Sequence, residues 1–371
     1  MTTIIAASVI ASFIIAAAIG PALIRYLHNM NFGQKILSYV PEHAGKQNTP
    51  TMGGFMFIIS ITLVTILSNV ILVRSISIQS FTVLLLSLCY GLIGFIDDRT
   101  KIRKAENEGL TSKQKFALQL VLALVFLSVL HMGGYLLPSL YIPFAGVSLN
   151  IPWLVYIVIA AFIMVGCNNA VNLTDGLDGL AAGVTLPVAV YFIVIGVISN
   201  NTPVVVFASA LAGGLAAFLI FNFNPAKVFM GDTGSLTIGF VLSILAIRFS
   251  MSDVTVLHRV PDAIVIAFSV LITPVFDVVR VILHRARFHK NIFSPDKNHI
   301  HHKFLALGFT HRAAMITILL ISAGFAAMNL LLLTHVNINV LLFLDIFIWT
   351  VMQLYLSHRI KQVKEASDSK H

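Results

Sequence analysis

Apolar residues in this chain gather in long unbroken runs separated by short polar stretches, with little strand-like alternation. A bilayer core takes about 20 apolar residues of helix, and that ruler divides the chain into eleven predicted spans. The first six are Ile4–Leu27, Met52–Val73, Phe81–Ile96, Phe116–Leu137, Trp153–Cys167 and Leu180–Ile198. Val204–Phe221, Leu236–Phe249, Ala263–Leu283, Ala314–Leu333 and Val340–Leu356 complete the set. Ile4–Leu27 lacks a positive leading segment and a small-residue cleavage site, so it reads as a retained helix. Alternation appears once, within Pro138–Pro152. There Tyr141, Ile142 and Phe144 precede Ala145-Gly146, and Val147 and Leu149 follow, which predicts a small hairpin. No repeat or low-complexity tract is evident. The pattern predicts an all-α polytopic membrane protein with about eleven transmembrane helices, forming a single domain over residues 1–371.

Composition agrees: 58% of residues are hydrophobic and 11% charged, which excludes an ordinary soluble domain. The net charge of +9 points to topology rather than to nucleic acid, because the cations fall between the apolar runs. One alternating set of loops holds 21 of the 24 lysines and arginines; only Arg74, Arg248 and Arg259 fall on the other side. The positive-inside rule therefore places the N-terminus outside and the C-terminus in the cytoplasm. Cys89 and Cys167, the two cysteines, both lie in apolar stretches and predict neither a disulfide framework nor a thiolate metal site.

Candidate chemistry lies in five polar clusters on the cation-rich side. The first, Gly45–Gly54 (GKQNTPTMGG), offers the Lys46 charge, the Thr51 hydroxyl and a glycine pair suited to close backbone approach. The second opens with Asp97-Asp98 at the end of an apolar run. There the helix dipole and mutual repulsion disfavour two carboxylates unless a cation offsets them. Thr111 or Ser112 is the expected cap of the helix that follows. The third, Asn168–Leu180 (NNAVNLTDGLDGL), sets Asn168, Asn172 and Asp175 on one helical stripe, with Asp178 close behind. Polar groups at membrane depth are costly and mark candidate function. The fourth, Asn222–Ser235, presents Asp232 between glycines, and the fifth, Arg285–Arg312, carries His299, His301 and His302 between Lys297 and Lys303.

Each cluster has a plainer reading as a turn, a cap or a solvated basic loop. Five on one face make that reading insufficient. Imidazoles mixed with lysines, without HExxH or CxxC, suit an anion better than zinc. Carboxylates without thiolates favour Mg²⁺ or Mn²⁺. Hard metal ligands beside basic groups are equipment for phosphoryl transfer. The chain has no Walker motif, which weakens ATP-driven transport as an alternative. A secondary transporter predicts mid-span acids and inverted repeats, whereas these acids cluster at span ends.

At these residues the chain resembles the polyprenyl-phosphate N-acetylhexosamine-1-phosphate transferases, glycosyltransferase family 4. The five loop motifs occur in the family's order over nearly the whole chain, with NNAVNLTDGLDGL and PAKVFMGDTGS the most specific. The resemblance implies a bacterial cytoplasmic (inner) membrane enzyme, by analogy a homodimer, with a cytoplasmic site and Mg²⁺. It implies transfer of a sugar-1-phosphate from a UDP-N-acetylhexosamine to undecaprenyl phosphate with release of UMP. By the same resemblance Asp232, with Asp175, is expected to bind the metal. Asp97 is expected to deprotonate or orient the lipid phosphate, with Asp98 beside it. Asn172, Asp175 and Asp178 hold nucleotide and metal-site geometry, while Lys46, Thr51, His299, His301 and His302 contact phosphates or sugar.

Two branches of the family divide the motifs. TPTMGG and NEGLTSKQK look like the phospho-MurNAc-pentapeptide translocases of peptidoglycan synthesis. HIHH followed by LALGFTHR looks like the UDP-GlcNAc branch, because Lys303 and Leu305 replace a histidine and a glutamate of the translocase run. Two predicted helices after the histidines, where the translocase branch has one, add to that side. The expectation is a GlcNAc-1-phosphate transferase, with the phospho-MurNAc-pentapeptide transferase as the alternative.

Overall fold

The computed structural model describes residues 1–30, 49–74, 78–104, 109–134, 136, 138–250, 269, 271–289 and 298–368. Helices α1 (Thr2–Asn29), α2 (Phe55–Leu67), α3 (Ile78–Lys104) and α4 (Ser112–Met132) come first. The strands β1 (Ser139–Ile142) and β2 (Val147–Asn150) separate them from α5 (Trp153–Thr174), α6 (Leu180–Ile198), α7 (Thr202–Asn222) and α8 (Gly231–Ser250). Helices α9 (Ile272–Arg287), α10 (Ile300–Ala306), α11 (His311–Leu332) and α12 (Ile338–Asp368) follow. Among the described residues nine helices are long and apolar enough to cross a membrane. Helix α8 contributes a shorter apolar stretch, Gly231–Ile247. The predicted span Ala263–Leu283 meets α9 in its second half, its first half lying largely outside the described residues. The chain is an all-α, multi-pass membrane protein.

Several helix boundaries differ from the apolar runs, and three of the differences place polar residues on helix. Helix α3 continues past Ile96 to Lys104, α5 continues past Cys167 to Thr174, and α8 begins at Gly231 rather than Leu236. Hydropathy marks where a helix leaves the hydrocarbon, not where its hydrogen bonding stops. Asp97, Asp98, Asn168, Asn172 and Asp232 therefore stand on helix rather than in loops. The predicted cap of α4 is Thr111, whose side chain accepts from the Gln114 N–H while the Gln114 side chain returns to Thr111. The predicted hairpin is present, with Ser139 paired to Asn150 and Ile142 to Val147.

Packing follows the rules for helices in lipid, where small residues allow close approach and polar side chains bind helices together. Helix α1 lies along α7 and α2. Gly213 of α7 faces the Val9 carbonyl with no room for a Cβ, and Ser12 donates to the Ala210 carbonyl at 2.6 Å. Helix α8 packs between α3 and α5, with Gly239 against the Asn168 backbone. A second, smaller apolar cluster joins Leu177, Ile272, Ile300, Phe304, Met315 and Trp349. It holds the histidine segment against the turn after α5.

Candidate functional site

Three helix ends converge on one point. Gly94 of α3 lies so close to the Asp232 backbone that no side chain fits between them, and this contact brings the end of α3 onto the start of α8. Asp98 then acts as an anion at a helix N-terminus. Its Oδ2 accepts from the Thr233 N–H at 2.9 Å and the Thr233 hydroxyl at 2.7 Å, and its Oδ1 accepts from the Asp232 N–H at 3.1 Å. Gly231 (φ 73°) completes the turn: a Cβ there would stand 2.5 Å from Asp98 Oδ2 and 2.8 Å from the Thr51 hydroxyl. Thr51 is thereby placed against the site, buried. The TPTMGG stretch reaches it by backbone pairing, with Gly53 N–H donating to the Phe229 carbonyl at 2.8 Å and Gly54 N–H to that of Met230 at 3.0 Å. Lys46 lies outside the described residues.

Asp97 and Asp232 share two ammonium groups. Lys101 Nζ lies 2.7 Å from Asp97 Oδ2 and 3.2 Å from Asp232 Oδ2. Lys115 Nζ lies 2.9 Å from Asp232 Oδ2 and 3.5 Å from Asp97 Oδ2. The remaining oxygens are also engaged: Asp97 Oδ1 accepts from the Leu110 N–H at 2.7 Å, and Asp232 Oδ1 from Asn172 Nδ2 at 3.0 Å. Asn172 also donates to Ser235 Oγ at 2.7 Å, so its amide fixes the Asp232 rotamer from the α5 side. From the sequence Lys101 is a candidate to offset the acid pair, whereas Lys115 reads only as a marker of topology. A cation flanking an adjacent acid pair was the available signal for their role.

One oxygen from each of Asp97, Asp98 and Asp232 lies within 4.8 Å of the other two. This all-oxygen donor set fits a hard dication such as Mg²⁺ or Mn²⁺. Asp97 and Asp232 are the better placed to hold one, since their Oδ2 atoms already converge on shared cations, the Lys101 and Lys115 ammonium groups, which a dication would displace. Asp98 has both oxygens committed to the α8 backbone and Thr233. Asp175, expected beside Asp232 as a ligand, caps the end of α5 and stands outside this trio. Burial, then the charges of Asp232, Asp98 and Asp178, push its carboxyl up to about 7. Asp178 has an architectural partner set: its Oδ2 accepts from Asn224 Nδ2 at 2.9 Å and the Ala226 N–H at 3.0 Å, binding the third cluster to the fourth.

The histidines approach the same turn from another direction. His301 lies against Gly176, where a Cβ would stand 2.5 Å from its Nε2, and it is buried. Burial, with His302 and His299 nearby, pushes its imidazole down to about 3. The His299 and His301 rings stack at 5.9 Å, and those of His301 and His302 lie 4.2 Å apart. His299 Nδ1 meets Asp277 Oδ2 at 2.9 Å, Ile300 N–H donates to the same carboxylate at 3.1 Å, and Arg280 contacts it at 2.9 Å. Asp277 went unrecognised in the sequence, although an acid within the run Ala263–Leu283 is the kind of intramembrane charge that marks function.

The Glycosyl transferase family 4 profile matches residues 80–250, the stretch carrying all three clustered aspartates. A phospho-N-acetylmuramoyl-pentapeptide-transferase of Bacillus pumilus is 36% identical over 84% of this chain and 92% of its own length. The protein of that name from Oceanobacillus iheyensis is 34% identical over 87% and 95%, and that from Bacillus subtilis 35% over 84% and 92%. These relatives carry the name of the translocase branch, the alternative of the two, and not of the GlcNAc branch that the histidine loop favoured. The residues that set the histidine loop apart from the translocase run have partners within the fold. The divergent Lys303 points its ammonium at Gln353 and Ser357 of α12, and Leu305 packs into the second apolar cluster. The chain belongs to glycosyl transferase family 4 and is related over most of its length to proteins named phospho-N-acetylmuramoyl-pentapeptide-transferase.

Proposed function

We propose that the protein transfers phospho-N-acetylmuramoyl-pentapeptide from its UDP-linked donor to undecaprenyl phosphate, releasing UMP, at the cytoplasmic face of a bacterial cytoplasmic membrane. The observation that carries this reading is the meeting of Asp97, Asp98 and Asp232 with Lys101 and Lys115, in a chain aligned over most of its length with relatives of that name. The uneven distribution of cations supports a cytoplasmic site, an external N-terminus and a cytoplasmic C-terminus.

The chemistry joins two anions. A lipid phosphate oxygen attacks the sugar-bearing phosphorus of the donor diphosphate, a P–O bond forms, and the bond to the UMP oxygen breaks. Bound Mg²⁺ would supply charge neutralisation at the diphosphate, held by Asp232 and Asp97. Lys101 and Lys115 add cationic charge on the same side, stabilising the negative charge that moves to the leaving phosphate. By the family resemblance Asp97 is the carboxylate that accepts or orients a proton of the incoming phosphate. Asn172 holds Asp232 in position, and Asp98 fixes the start of α8. Thr51 and a neutral His301 offer hydroxyl and imidazole contacts to phosphate or sugar.

The HIHHKFLALGFTHR stretch keeps a UDP-GlcNAc donor as a second reading. Purified protein given undecaprenyl phosphate, Mg²⁺ and either donor separates the two by UMP release. Release from UDP-MurNAc-pentapeptide alone supports the proposal, and release from UDP-GlcNAc alone replaces it. An Asp232→Asn variant with undiminished turnover removes the metal-site assignment.

A further inference from the structure

Helix α10 carries His301 and His302 but is only seven residues long, with no side-chain cap at its start. So short a helix cannot hold its own shape, and its position depends on what grips it from outside. Asp277 grips one end through His299 and the Ile300 N–H. The other grip comes from α12. Lys303 Nζ donates to Gln353 Oε1 at 2.7 Å and to Ser357 Oγ at 2.9 Å. Ser357 gives its own proton to the Gln353 carbonyl at 2.8 Å, so a lone pair is what it offers Lys303. Burial, followed by the Arg280 charge, pulls the Lys303 ammonium down to about 8, as expected for a cation held in a partly dry contact.

Helix α12 is itself anchored along its length. Asp345, Trp349 and Gln353 follow one another at four-residue steps on one buried stripe. Asn329 of α11 donates to Asp345 Oδ1 at 3.0 Å. Near the far end of α12, the Phe144 N–H of the hairpin turn donates to Asn339 Oδ1 at 2.9 Å. A helix fixed at the hairpin and at α11 therefore reaches about 21 Å from Asn339 to Gln353, where it meets Lys303. Across α10 from that contact, His301 rests on Gly176, between Asp175 and Asp178.

We propose that Lys303, Gln353 and Ser357 form a clamp through which α12 positions α10, and thereby sets affinity for the nucleotide-activated sugar. The inference rests on the transferase reading above. Lys303 is a positioning residue here, acting through His301 and His302 rather than on the reacting phosphates. Loosening the clamp lets α10 shift against Gly176, which weakens donor binding while the carboxylate and lysine cluster stays in place.

The test compares full-length protein with a Gln353→Leu/Ser357→Ala double variant and with Gln353→Glu, which keeps the acceptor and adds a charge. Hydrogen exchange over residues 299–306 is expected to speed up about tenfold in the double variant and to stay slow in Gln353→Glu. The KM for the UDP-linked sugar is expected to rise about tenfold in the double variant alone, with kcat and the KM for polyprenyl phosphate within about twofold. Unchanged exchange overturns the clamp. Faster exchange with an unchanged donor KM overturns its positioning role, and so does an equal rise in both KM values. If the unaltered protein releases no UMP from any UDP-sugar, the transferase reading fails and the donor role falls with it. The exchange result then still reports on the clamp.

Discussion

Lys115 Nζ sits 2.9 Å from Asp232 Oδ2, although 117 residues separate them, and the pair ties the start of α4 to the start of α8. Lys101 bridges the same two aspartates from α3. Two ammonium groups against two carboxylates make a compact, partly buried charge cluster. Removing one cation leaves carboxylate charge uncompensated, which costs more than the pair contributes.

Lys115→Met is therefore expected to lower UMP release by about a hundredfold or more, within the range seen when one electrostatic stabiliser is lost. Lys115→Arg should recover part of that activity. Thermal unfolding in detergent checks that the Met variant is folded; full turnover in a folded Lys115→Met protein would remove the lysine from the chemistry.

Adjacent Asp97 and Asp98 should separate experimentally. Asp98 accepts three hydrogen bonds at the start of α8, so Asp98→Asn turns an amide group onto N–H and O–H donors. The expected loss is about 2–3 kcal/mol of stability, read as a lower unfolding midpoint. Asp97 faces the two lysines and the Leu110 N–H, and Asp97→Asn should lose turnover with a smaller change in midpoint. Equal midpoints in the two variants would contradict the different roles.

Much of this site was legible from the sequence because charge inside an apolar pattern is conspicuous. Asp97, Asp98, Asn172 and Asp232 all stood out that way, and the structure brings them together. Lys101 stood out only as one of three cations near the acid pair, and Lys115 not at all, since lysines at span ends are already explained by topology. Asp277 was hidden by being a single acid in a long run, whose partner His299 lies 22 residues further on. Lys303 was seen, but as a sugar-reading substitution. Only the tertiary contact with Gln353 and Ser357 shows where its ammonium goes.

The pH dependence of stability offers a separate check on His301. Burial holds its imidazole at about 3, below the ordinary histidine value. Between those limits the unfolded chain binds the proton and the folded chain does not, so lowering the pH favours unfolding. The contribution approaches about 1.4 kcal/mol per pH unit at most. His301→Gln removes it. The unfolding midpoint of the unaltered protein should therefore fall more steeply from pH 7 to pH 4.5 than that of His301→Gln. Parallel curves would mean that the imidazole titrates normally.

The buried pair Asn329 and Asp345 makes a last prediction about how α12 is held. Both side chains are fully buried, Asn329 Nδ2 donates to Asp345 Oδ1 at 3.0 Å, and Asn329 also donates to the Phe325 carbonyl at 2.9 Å. Asn329→Leu leaves the Asp345 carboxyl without a donor among the described residues, and a stranded buried acceptor costs about 1–3 kcal/mol. Replacing both partners by apolar groups avoids that penalty, so Asn329→Leu/Asp345→Leu should be more stable than Asn329→Leu alone. Unfolding midpoints in one detergent, for the two singles and the double, give the coupling directly. A double variant no more stable than the sum of the singles would show that the contact does not tie α12 to α11.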